Sequence, residues 1–123
     1  MAVLLVAVGG ALGSVSRWAV QELLAGRSAV FPTATFLINV TGCFLIGAFA
    51  SAAAAHADWS PAWRLLFPIG FVGAYTTFST YELEIFRLLE RGEWAMGALY
   101  FFASNVAGFA GIAAGIWAGK RIA

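Results

Sequence analysis

Four apolar stretches, each long enough to cross a bilayer, take up nearly all of this chain: roughly residues 2–24, 33–54, 64–88 and 94–119. One crossing needs about 20 apolar residues, so 123 residues hold four crossings and little besides short connections. Only 11% of the residues are charged and 62% are hydrophobic, whereas a soluble domain carries about a quarter charged. The chain therefore reads as one all-α integral membrane domain over residues 1–123 that spans four times. Its first segment, MAVLLVAVGGALGSVSRW, has no positively charged start and runs directly into further membrane sequence. It reads as a first span rather than a cleaved signal.

The connections are GRSAVFP, punctuated by Gly26 and Pro32, then HADWSP and ERGEW. Trp59 and Trp63 suit a membrane interface. A net charge of +1 implies no basic surface for nucleic acid and no polybasic lipid anchor. Cys43 is the single cysteine; it has no partner for an intrachain disulfide or a metal site and is expected to be a small buried packing residue. The single histidine, His56, falls in a loop, so no Ser/His/Asp or Cys/His set forms within the membrane. The chain is not expected to be an enzyme.

Four crossings place both termini on one side. Arg64, Lys120 and Arg121 then lie on that side, and Arg17, Arg27, Arg87 and Arg91 lie toward the other. So even a balance gives the positive-inside rule little to act on. Insertion in both orientations, followed by antiparallel pairing, and a single weakly biased orientation both fit. Small residues recur at three- and four-residue spacing: Gly9, Gly10 and Gly13 in the first stretch; Ser104, Gly108, Gly111, Gly115 and Gly119 in the fourth. Such spacing lets helix backbones approach closely, either within the chain or at a dimer seam.

Depth assigned from the ends of the stretches puts the polar residues of all four in one half of the bilayer. Arg17, Thr35, Asn39, Ser79, Thr80, Glu84, Tyr100 and Ser104 lie there. An unpartnered polar group in hydrocarbon is costly, so these side chains are expected to face one another or water. Most of them donate hydrogen bonds, Arg17 is positive, and no carboxylate lies near the bilayer centre. A donor-rich path without deep carboxylates suits an anion better than a proton-coupled cation. Arg17 also fits a purely structural role at a helix end.

One stretch resists a plain helix. In GFVGAYTTFSTYELE, residues 70–84, two glycines precede a run of hydroxyl residues at mid-membrane. Threonine and glycine are poor helix formers. Backbone unwound at that depth must be buried in protein or line a cavity, and it frees carbonyl oxygens that suit a cation. Phe78 and Tyr81, three apart, would project from one face just after the break, where aromatic edges carry partial positive charge. A kinked helix whose aromatics merely pack is the plainer alternative.

The segments GGALGSVSRW, FLINVTGCFLIG, GFVGAYTTFST and YFFASNVAGFAG, one in each stretch, make the chain resemble the small bacterial fluoride channel family, Fluc or CrcB. The resemblance covers essentially the whole chain. It implies an antiparallel, dual-topology homodimer in the bacterial inner membrane, with the third helix broken and two pores that pass fluoride passively outward. It implies a structural Na+ at the dimer centre, held by backbone carbonyls of Gly73 and Thr76. The fluoride pathway maps onto Asn39, Phe78, Tyr81, Thr80, Tyr100, Ser104 and Glu84, with Arg17 and Thr35 at the vestibule. Tyr81 stands where the family usually carries phenylalanine, so either its ring edge or its hydroxyl would meet the ion.

Two rival classes differ in specific residues. A small dual-topology multidrug transporter would carry a deep glutamate in its first span, where this chain has Arg17, with Glu22 near the end. A non-transporting membrane packing protein would need neither Asn39 nor the hydroxyl run.

Overall fold

A computed structural model describes residues 1–27 and 30–122. The GRSAVFP connection lies partly outside these residues, as do position 123 and the side chain of Arg27, which entered the count of positives above. Helices account for most of the rest: α1 (Ala2–Leu24), α2 (Thr33–Ala55), the short α3 (Ala62–Arg64) and α4 (Gly73–Tyr75), α5 (Phe78–Glu90) and α6 (Trp94–Ile122). Three of them, α1, α2 and α6, are long and apolar enough to cross a membrane. The protein is all-helical with several membrane-crossing helices.

The third apolar stretch is built differently. Between α3 and α4 the backbone runs as a π-helix, Leu65–Val72, with Pro68 inside it. Proline has no amide to donate, so the normal register fails there and widens. Gly73 N–H reaches back to the carbonyls of Pro68 and Gly70. Phe67, Phe71 and Tyr75 stack along this segment at centroid spacings of 5.6 and 5.7 Å. Thr76 and Thr77 are then extended, with ψ of 157° and 108°, before α5 begins. At 13 residues and 1.5 Å per residue, α5 is only about 20 Å long, too short to cross alone.

Close backbone packing holds the helices together. A side-chain carbon added at Gly9 or Gly13 of α1 would strike the carbonyls of Leu66 and Phe71, whereas at Gly10 it would meet nothing. On α6, one added at Gly115 would strike the carbonyl of Phe44 and one at Gly119 that of Ala48; Gly47 of α2 faces Ile112 in the same way. Both small-residue stripes therefore pack within the chain: α1 against the π-helix, and α6 against α2. Lipid provides no hydrophobic drive between helices, so this contact area is what binds them.

Termini and loops follow ordinary rules. α5 ends at Gly92, φ +77°, with Gly92 N–H on the Leu89 carbonyl and Glu93 N–H on that of Leu88. That is the paired bonding of a glycine-terminated helix. His56 ends α2 and stacks on Trp59, 5.2 Å between centroids. Arg121 lies 4.4 Å over the Trp117 ring, an anchor suited to a helix end at a bilayer surface. Large apolar side chains such as Phe109, Val106 and Phe102 are exposed on the single chain, as expected of surfaces covered by lipid or by another copy.

Candidate functional site

The site begins with Asn39. It lies on α2 three residues before Gly42, and a side-chain carbon at Gly42 would strike the Thr76 methyl. The missing side chain lets the extended residues approach α2. There Thr77 N–H donates to Asn39 Oδ1 at 2.8 Å, and Asn39 Nδ2 donates to the Thr77 carbonyl at 3.1 Å. The side-chain amide thus replaces the helical neighbours that Thr77 has lost. Thr77 is itself buried, so without Asn39 both of its backbone groups would lose their partner in a poor solvent for them. Thr77 also caps α5: its Oγ1 accepts from Thr80 N–H at 3.4 Å and donates to Thr80 Oγ1 at 2.9 Å.

A groove of about 460 Å³ opens beside this junction. Asn39, Thr76, Phe78, Tyr81, Ser104 and Asn105 contribute to its wall, and none of the described lining residues is charged. Phe78 is 73% exposed; its ring lies 5.9 Å from that of Tyr81, tilted by 45°. Ser104 Oγ is buried and has no hydrogen-bond partner. A buried hydroxyl is rarely left so, because its desolvation is uncompensated. Ser104 is thus a residue of the groove wall whose hydroxyl has no partner among the described residues.

The hydroxyl of Tyr81 is already committed. It donates to the Phe101 carbonyl at 3.2 Å and accepts from Asn105 Nδ2 at 3.0 Å. What Tyr81 offers the groove is its ring.

A second polar cluster continues from the first. The Tyr81 ring packs edge-on against that of Tyr100, 5.1 Å away at 70°. Tyr100 is fully buried, and its hydroxyl donates to Glu84 Oε2 at 2.7 Å. Thr35, 1% exposed, donates to Glu84 Oε1 at 2.8 Å. One carboxylate on α5 thereby ties together the buried polar residues of α2 and α6, each bond strengthened by its charge. Among the described residues no group of His, Cys, Asp or Glu is arranged to hold a metal.

Against the sequence reading, the structure brings Asn39, Thr76, Phe78, Tyr81 and Ser104 to one groove, and Thr35, Glu84 and Tyr100 to an adjoining cluster. Thr80 sits at the α5 cap and Arg17 is half-buried on α1; neither is part of the groove wall. Gly73 is exposed and is not part of the groove wall either. Cys43, expected to be buried packing, is only half-buried and lies on the groove wall near Gly108, because small residues on α6 leave the space open. Asn105 and Thr77 were not singled out from sequence. A lone amide inside an apolar stretch was the available signal for Asn105.

Known proteins are similar to this sequence over nearly its whole length. Residues 4–116 match the family described as CrcB-like protein, Camphor Resistance (CrcB). A protein of Acidobacterium capsulatum named fluoride-specific ion channel FluC is 48% identical over 123 residues, covering 99% of this chain and 98% of that one. A protein of the same name from Chlorobium chlorochromatii is 43% identical, with 98% and 94% covered. Another, from Rhizobium johnstonii, is 45% identical, with 92% and 91% covered. An arrangement of groove, amide clamp and hydroxyl cluster on a chain so similar over its length admits one assignment: this chain belongs to the CrcB family.

Proposed function

We propose that this chain is a fluoride-selective channel of the bacterial inner membrane, through which cytoplasmic fluoride leaves passively and its toxicity is relieved. The observation that carries the proposal is the uncharged groove whose wall Ser104, with its buried, unpartnered hydroxyl, shares with Asn39 and Phe78. Fluoride is a small, strongly hydrated anion that accepts hydrogen bonds. Hydroxyl and amide protons replace part of its water, and aromatic edges add a weak positive field without a tight grip. Binding that is favourable but shallow is what conduction needs. The names of the relatives support the same ion. Beyond the groove the path would pass the rings of Tyr81 and Tyr100 to the hydroxyls held by Glu84.

The driving force needs no nucleotide. Hydrofluoric acid is weak, enters cells as the neutral molecule and dissociates at the higher internal pH. A negative interior then drives the anion outward with about 2.3 kcal/mol per 100 mV.

The working unit is an antiparallel, dual-topology homodimer of four-span subunits, their third span broken at Thr76 and Thr77. The open groove supports this, because its rim carries Phe78 and Phe109, both largely exposed, and a second copy would supply the missing wall. The near-even distribution of arginine and lysine supports insertion in both orientations.

The backbone at the break fits a sodium ion. In a continuous helix Thr77 N–H would bond to the Gly73 carbonyl and Thr80 N–H to that of Thr76; here they turn to Asn39 and to Thr77 Oγ1. The carbonyls of Gly73 and Thr76 are hard oxygen donors released from their helical partners, and these residues would hold the ion. Bound there, Na+ would supply a structural positive charge to the carbonyls of the break.

Growth tests the proposal. In a bacterium lacking its own fluoride export, the gene should restore growth on fluoride medium. Sensitivity equal to that of the empty vector, with the protein present in the membrane, contradicts it.

A further inference from the structure

The outer end of the polar cluster opens into a separate cleft of about 180 Å³ between the start of α2 and the end of α5. Thr35, Glu84, Arg87 and Arg91 contribute to its wall. Both oxygens of Glu84 accept hydroxyl protons, but its charge still opposes an approaching anion. The cleft holds the counterweight. Arg87 lies in the last turn of α5 and Arg91 is its C-cap, one helical turn on, both sharing the cleft with Glu84. Arg87 is exposed and pairs with no carboxylate among the described residues. Arg91 reaches Glu93 only at 4.0 Å, with side chains 63% and 39% exposed, a contact too long and too wet to neutralise it.

We infer that Arg87 and Arg91 form a cationic mouth that gathers small hard anions at the Glu84 end of the pathway and offsets the carboxylate there. The inference rests on the fluoride channel proposed above. Two guanidiniums at a narrow opening raise the local anion concentration, an effect that salt screens. The simpler role, complementing the negative end of the α5 dipole, would influence stability and not the salt dependence of conduction.

Fluoride flux through the full-length protein in liposomes, at fixed fluoride and with ionic strength raised by a salt of a bulky impermeant anion, separates the two. R87Q/R91Q should lower flux roughly fivefold at about 10 mM ionic strength, where the screening length is about 30 Å, and less than about twofold at about 1 M, where it is about 3 Å. R87K/R91K keeps the charge and should stay near wild type at both. Equal losses at low and high salt, or losses as large with lysine as with glutamine, overturn the inference. If R87Q/R91Q does not fold, wild type decides: its flux should itself fall as salt rises, and a salt-independent flux overturns the inference. Wild type that passes no fluoride at any salt overturns the channel reading, and the mouth with it.

Discussion

Asn39 and Thr77 grip each other through both ends of one side-chain amide: Thr77 N–H on Oδ1 at 2.8 Å, and Nδ2 on the Thr77 carbonyl at 3.1 Å. This pair fixes the extended residues Thr76 and Thr77 as a junction against α2, just before Phe78 at the groove. Asn39→Ala should therefore do two things together. It should cost about 1–3 kcal/mol for each buried group left without a partner, seen as a lower midpoint of thermal unfolding in detergent. It should also reduce fluoride flux, because the groove wall moves. An unchanged midpoint would mean that the clamp is not holding the junction.

Tyr81 gives the sharpest test of geometry. Its hydroxyl is bonded to the Phe101 carbonyl and to Asn105, so Tyr81→Phe should leave fluoride flux within about twofold while lowering stability by about 1 kcal/mol, the net worth of one hydrogen bond. Flux lost at unchanged stability would show that the hydroxyl meets the ion directly.

Phe78 stands at 73% exposure, so little of the subunit's own packing depends on it. Phe78→Ile keeps bulk and removes the ring edge. Flux should fall roughly tenfold, the scale of one good aromatic contact, with elution as a folded species unchanged in size-exclusion chromatography. Undiminished flux would reduce Phe78 to packing.

Two glycines separate close packing from mere spacing. A methyl at Gly115 would collide with the Phe44 backbone, and one at Gly10 would meet nothing. Gly115→Ala should destabilise by about 1–3 kcal/mol through overpacking. Gly10→Ala should be neutral or slightly stabilising, up to about 1 kcal/mol. Equal effects on the unfolding midpoint would contradict the close α2–α6 packing.

The sequence was legible where one physical signal dominates. Apolar runs give the helices Ala2–Leu24, Thr33–Ala55 and Trp94–Ile122, since hydropathy is local. That polar residues of different stretches would face one another was legible too, from their depth. The individual pairs were not: Thr35 and Glu84 are 49 positions apart, and Asn39 and Thr77 are 38 apart, so only packing decides which meets which. The π-helix over Leu65–Val72 has only Pro68 as a local mark, and a lone proline in a membrane helix is equally compatible with a simple kink. The direction of the Tyr81 hydroxyl depends on Phe101 and Asn105 of another helix, and no local pattern encodes it.

The central claim is that fluoride passes through this protein, and efflux measures it directly. Liposomes containing the protein and loaded with potassium fluoride are diluted into fluoride-free medium, valinomycin is added to carry the compensating potassium, and an electrode follows external fluoride. The account predicts prompt fluoride release, with chloride-loaded liposomes releasing far less chloride. Folded protein that releases no fluoride would contradict the channel, and equal release of chloride would contradict its selectivity.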